Sequence, residues 1–143
     1  MNDLQLSFNY KTSRCPQRPI VLAVDDNEDN LVLISLALKQ IVKCSLLTAV
    51  DGKTTISLAQ QYQPDLILLD IVLPQLNGFE VIYRLKQNPQ TKRIPIVAVT
   101  ALAKREDRDR LIAAGCDGYL SKPYMLEDLE TIIDRHLSIP SLV

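Results

Sequence analysis

Four consecutive apolar residues, Leu66 to Leu69, run without interruption into a carboxylate at Asp70, with Pro64 before them and Pro74 soon after. A run of this length with these bounds fits a strand buried on both faces, as in a parallel sheet. Ile20 to Val24, stopped by Asp25-Asp26, has the same character. So does Ile94 to Val99, which ends at Thr100.

The segments between these runs carry helical signals. From Asn27 to about Lys43, the apolar residues Leu33, Ile34, Ala37, Leu38 and Ile41 recur at helical spacing behind a capping asparagine. Ser45 to Val50 reads as a second strand and Thr54 to Tyr62 as a second helix. Phe79 to Gln87 and Ala103 to Ala114 are the third and fourth helices, the latter stopping at Gly115. Cys116 to Leu120 is a short fifth strand, and the last helix, Met125 to Leu137, carries Leu126, Leu129, Ile132, Ile133 and Leu137. Five strands alternating with five helices specify an α/β domain with a parallel sheet, and right-handed crossovers put helices on both of its faces. At 143 residues this is one domain, burying roughly two thirds of its unfolded surface. The expected division is an arm over 1–18, the domain over 19–138 and a tail over 139–143.

Composition removes several classes of function. A net charge of -1 and a pI near 5.8 leave no basic footprint for nucleic acid or a membrane surface. No apolar run approaches the ~20 residues that span a bilayer, and Met1 to Tyr10 lacks the pattern of a secretory signal. Cys15, Cys44 and Cys116 have no CxxC spacing, which suits reduced thiols in a cytosol. His136 is the only histidine and is not a ligand. The charged run Lys104 to Arg110 is either a solvated helix face with pairs such as Glu106–Arg110 or a face that meets a partner.

Taken alone, Asp70 would be an acid capping a strand as it exits to solvent. Its company argues otherwise. Asp25 and Asp26, Asp70, Thr100 and Lys122 all follow strands, so all fall at the carboxyl edge of the sheet, where open α/β sheets bind ligands. Acids unrelated to a site would fall at both edges. Three carboxylates brought together need a cation or raised pKa values. An all-oxygen site of this kind suits Mg2+. A carboxylate can also attack phosphorus, and the phosphoryl oxygens it gains then need a metal, an ammonium and a hydroxyl donor to neutralise them.

Together, VDD (Val24 to Asp26), LLDIVLP (Leu68 to Pro74), VTA (Val99 to Ala101) and YLSKP (Tyr119 to Pro123) make the chain resemble a CheY-like response-regulator receiver domain of two-component or phosphorelay signalling. The resemblance runs from about Arg18 to Leu137. It implies the flavodoxin-like (βα)5 fold, with strand order 2-1-3-4-5. It makes Asp70 the phosphoacceptor, served by a histidine kinase or histidine phosphotransfer protein. Mg2+ would be held by Asp26, Asp70 and the backbone carbonyl of Val72, and by Asp25 largely through water. Lys122 would pair with the phosphoryl oxygens. Thr100 would turn its hydroxyl toward them and let Tyr119 swing inward, a shift between two states that phosphate contacts bias. Lys122-Pro123 would be a cis peptide.

Val72 and Leu102 depart from many members, which carry polar residues there. Apolar side chains cannot orient a hydrolytic water, so slow self-dephosphorylation is expected. In the first helix, Leu31, Val32 and Leu36 lie off the core-facing positions just given. They are either ordinary surface residues or an apolar strip on which a four-helix phosphotransfer or kinase dimerisation domain docks.

Rival readings fit less well. A haloacid-dehalogenase-like phosphatase would carry Asp-x-Asp after the first strand, and Asp25-Asp26 lacks that spacing. A flavodoxin proper would want a hydroxyl-rich phosphate loop there, where this chain has two acids, and the lack of a GxxxxGK[ST] loop argues against nucleotide hydrolysis. A receiver serving only as a scaffold would lack part of the acceptor set, which here is complete. The expected protein is thus not an enzyme but a cytoplasmic, stand-alone regulator, a monomer or weak homodimer that changes its affinity for a downstream protein. The alternative is a receiver excised from a hybrid histidine kinase.

Overall fold

The apolar runs form one five-stranded parallel sheet, with strands β1 (Ile20–Val24), β2 (Ser45–Ala49), β3 (Leu66–Leu69), β4 (Ile96–Thr100) and β5 (Gly118–Ser121). Its order is β2-β1-β3-β4-β5. The computed structural model describes residues 18–101 and 104–137. The arm apart from Arg18, the tail and Leu102 lie outside the described residues. Between the strands run α1 (Glu28–Ile41), α2 (Gly52–Tyr62), α3 (Gly78–Gln87) and α4 (Arg105–Ala114), and α5 (Leu126–His136) follows β5. This is the flavodoxin-like order expected.

Every residue of β1, β3 and β4 is buried, while the edge strands β2 and β5 are mostly half-covered. Burial on both faces is why the central runs do not alternate with polar residues. On one face, Leu31, Ile34, Leu38 and Ile41 of α1 and Leu129, Ile132 and Ile133 of α5 pack against Val21, Leu68 and Val97. On the other, Ala59 of α2, Val81, Ile82 and Leu85 of α3 and Leu111 of α4 pack against Leu22, Leu69 and Ala98.

The buried stripe of α1 is rotated from the expected one. Leu31 is only 7% exposed, whereas Leu33, expected in the core, is 63% exposed. The reason is angular: residues 31, 34, 38 and 41 are spaced by 3, 4 and 3, which keeps one line of side chains on the sheet. Burying each of these side chains is worth about 1.5–3 kcal/mol, so the stripe outweighs any cap in fixing the helix's rotation. Leu126 departs in the same way, standing exposed in the first turn of α5. Three helix starts have side-chain caps: Asn27 accepts from the Asn30 N–H, Asp51 from Thr54 and Asn77 from Glu80.

Candidate functional site

Parallel register gathers the site. Val24 pairs with Leu69, Leu69 with Ala98 and Ala98 with Tyr119, one row across four strands. Asp25 and Asp70 are the next residues after that row. Their N–H groups still donate to the neighbouring strands, Asp25 to the Ala49 carbonyl at 3.1 Å and Asp70 to that of Val24 at 2.9 Å. Thr100 pairs with Ser121 one row further on, and the Lys122 N–H donates to the Thr100 carbonyl at 2.9 Å. The loop after Asp70 is held from beneath by α3. The Gly78 N–H donates to the Ile71 carbonyl at 2.8 Å, and a Cβ on Gly78 would stand 2.5 Å from the Ile71 Cα.

Asp25, Asp26 and Asp70 each bring a carboxylate oxygen within 4.8 Å of the others. Asp25 and Asp70 are buried, and Asp26 is exposed. The Lys122 ammonium donates to Oδ2 of Asp25 at 3.0 Å and to Oδ2 of Asp70 at 3.3 Å. Burial pushes the Asp70 carboxyl above the ordinary carboxylate range, and the charge of Asp25 adds to this. The Val72 N–H, 3.0 Å from Oδ1, and Lys122 oppose the shift without cancelling it. At Lys122, burial pulls the ammonium's pKa down, but the hydrogen bond to Asp25 and the two acidic charges prevail and hold it above the usual lysine value. The two partners thus shift for different reasons, Asp70 governed by its own burial and Lys122 by facing two acids. Three acids against one ammonium leave surplus negative charge on oxygen donors alone, with one acid open to solvent. That donor set fits a hard divalent cation such as Mg2+.

Thr100 is fully buried at the end of β4. Tyr119 is half-buried in β5, and the Arg108 guanidinium of α4 lies 5.2 Å from its ring centre. The Val72 side chain points outward, 61% exposed. The Lys122–Pro123 bond is cis. Of the expected docking residues, Val32 and Leu36 are exposed, Leu31 is not, and Leu33 joins the surface strip. Beside the acids, a cleft of about 570 Å³ opens between α1 and the connection from β5 to α5, lined by Leu31, Leu33, Ile34, Tyr124 and Leu126 with Lys122 at its polar end.

Two neighbours of the site escape a reading of motifs. The Asn30 side chain donates to Oδ2 of Asp25 at 3.2 Å. Tyr124, half-buried, has its phenol pKa pushed up by burial, with Lys122 and Asp25 as its charged neighbours. Their position soon after strand ends is the signal that could have found them. Acids also stand at the opposite edge of the sheet, contrary to expectation, but the backbone occupies them. Asp65 accepts the Ile20 N–H at 2.8 Å. Asp117 accepts the Ile96 N–H and the Lys86 ammonium, both at 2.9 Å.

Residues 21–134 match the model of the response regulator receiver domain family. The polar-differentiation response regulator DivK of Brucella anthropi is 38% identical over 106 residues, covering 72% of this chain and 83% of that protein. A probable cyclic di-GMP phosphodiesterase of Vibrio cholerae is 36% identical over 117 residues, 82% of this chain but only 26% of that longer protein. Among solved structures, the receiver domain of the sensor histidine kinase PA1611 of Pseudomonas aeruginosa, with magnesium coordinated in its cleft, superposes with a TM-score of 0.78. It is 29% identical, and the match covers 86% of this chain and all of that one.

Proposed function

The chain belongs to the response regulator receiver domain family, and we propose that it signals by accepting a phosphoryl group on Asp70. The observation that carries this reading is the ammonium of Lys122 held between Asp25 and Asp70 at the carboxyl edge of the sheet. An Asp70 oxygen bonds to phosphorus as the P–N bond of a donor phosphohistidine breaks, and the imidazole leaves with the electron pair and takes a proton from water. The donor is a histidine kinase or a histidine phosphotransfer protein. Asp26, Asp70, the Val72 carbonyl and, through water, Asp25 would hold Mg2+, which would supply charge neutralisation for the transferring group. Lys122 stands close enough to Asp70 to move its ammonium onto the new phosphoryl oxygens.

Readout runs through Thr100 and Tyr119. A phosphoryl group on Asp70 offers acceptors to the Thr100 hydroxyl, and a turn there frees space for the Tyr119 ring. Because Arg108 lies over that ring, its movement alters the face formed by α4, β5 and α5, which then binds a downstream protein differently. The strip of Val32, Leu33 and Leu36 beside the cleft docks the phosphodonor. We read the chain as a cytoplasmic regulator, monomeric or weakly dimeric. No helix among the described residues is long and apolar enough to cross a membrane.

Intact mass after incubation with acetyl phosphate tests the reading. We expect a Mg2+-dependent gain of one phosphoryl group in the wild type and none in Asp70→Asn. No gain in a folded, Mg2+-binding wild type, with acetyl phosphate or a phosphorylated histidine phosphotransfer protein as donor, would overturn it.

A further inference from the structure

Asp25 is anchored on every side but one. Its Oδ1 accepts the Asn27 N–H at 2.9 Å. Its Oδ2 accepts the Lys122 ammonium at 3.0 Å and the Asn30 side-chain amide at 3.2 Å. A carboxylate offers about four lone-pair directions, so these bonds leave one, on Oδ1. The Asn30 bond also closes a ring. The Asn30 N–H donates to the Asn27 side-chain oxygen at 3.1 Å, the Asn27 N–H donates to Asp25, and the Asn30 amide returns to Asp25. Only one orientation of the Asn30 amide works here, since its oxygen turned toward the carboxylate would set two acceptors against each other.

We infer that Asn30 is a positioning residue for the metal site, fixing the rotation of the Asp25 carboxylate and with it the direction of its one remaining lone pair. The inference rests on the proposed Mg2+ site and names a residue of α1 that serves it. When Lys122 moves toward a phosphoryl group, Asp25 Oδ2 loses its ammonium partner, and the Asn30 amide is the bond that remains to hold it. The ring also couples the site to the N-cap of α1, the helix whose outer face carries Val32, Leu33 and Leu36.

The test is a calorimetric Mg2+ titration of the full chain as wild type, Asn30→Leu and Asn30→Gln, with Tm measured without Mg2+. A hydrogen bond to a charged group has been removed in Asn30→Leu, so its Mg2+ affinity falls about tenfold. Asn30→Gln, which keeps an amide donor, recovers most of the loss. A lower Tm for Asn30→Leu with unchanged Mg2+ affinity would assign the Asn30 side chain to the stability of the fold alone and overturn the inference. A wild type that binds no Mg2+ would sink the metal reading and this inference together, whereas binding that Asn30→Leu leaves intact sinks only the inference. Should Asn30→Leu fail to fold, the Asn30 side-chain amide resonances of the wild type decide. They shift with Mg2+ along the calorimetric binding curve, and resonances that stay fixed would overturn the inference.

Discussion

Val72 stands two residues past Asp70 with an isopropyl group facing solvent, while its N–H is bound to Asp70 Oδ1. A side chain with no donor or acceptor cannot hold a water in line for attack on a phosphoryl group, so the phosphorylated protein should persist. Replacing Val72 by Asn should speed loss of the phosphoryl group about tenfold, the effect of one well-placed hydrogen bond on a barrier. The decay of phosphorylated protein by intact mass measures it. Loss from the wild type within seconds, with no phosphatase added, would contradict the argument. At this scale the sequence was legible wherever a charged residue follows the end of a strand, which is how Asp25, Asp70 and Lys122 announce themselves. Asn30 was not legible, because its role depends on a side-chain bond to a residue on the preceding strand's end. An asparagine in a first turn has many other uses.

The helix α1 shows what element-level reading captures and what it misses. Its existence and cap follow from Asn27 and the recurring leucines. Its rotation does not, because Leu31, Val32, Leu33, Ile34 and Leu36 offer apolar residues in almost every direction, and only contact with the sheet selects the stripe. The choice has a consequence for mutagenesis. Leu31→Ser removes a buried side chain and should cost about 2–5 kcal/mol of stability, read by denaturant unfolding. Leu33→Ser and Leu36→Ser together should leave Tm and acetyl phosphate labelling near wild type while slowing transfer from a phosphorylated histidine phosphotransfer protein. An unchanged transfer rate would make the strip an ordinary surface. Strands were the more legible elements. An unbroken apolar run has only one place in a sheet like this, whereas the half-covered edges β2 and β5 blur at their ends.

Across the whole molecule, stability should depend on pH through the far end of α5. His136 Nε2 is buried with no hydrogen-bond partner among the described residues. Burial holds the imidazole pKa below the usual histidine value, Arg135 acts in the same direction, and Asp117 opposes them. The unfolded chain therefore takes up a proton that the folded chain refuses. The stabilising contribution is complete above an ordinary histidine pKa of about 6.5 and is lost as pH falls through the lower folded value. Between about pH 7 and about pH 5 the wild-type Tm should fall relative to that of His136→Gln. Equal slopes for the two proteins would refute the assignment. One further property concerns order along the chain. Lys122 follows Asp25 by 97 residues and Asp70 by 52, so during synthesis the acids leave the ribosome long before their counter-charge does. The ammonium that faces Asp25 and Asp70 comes only with the stretch after β5. The last strand of the sheet and the counter-charge of its acids thus arrive together.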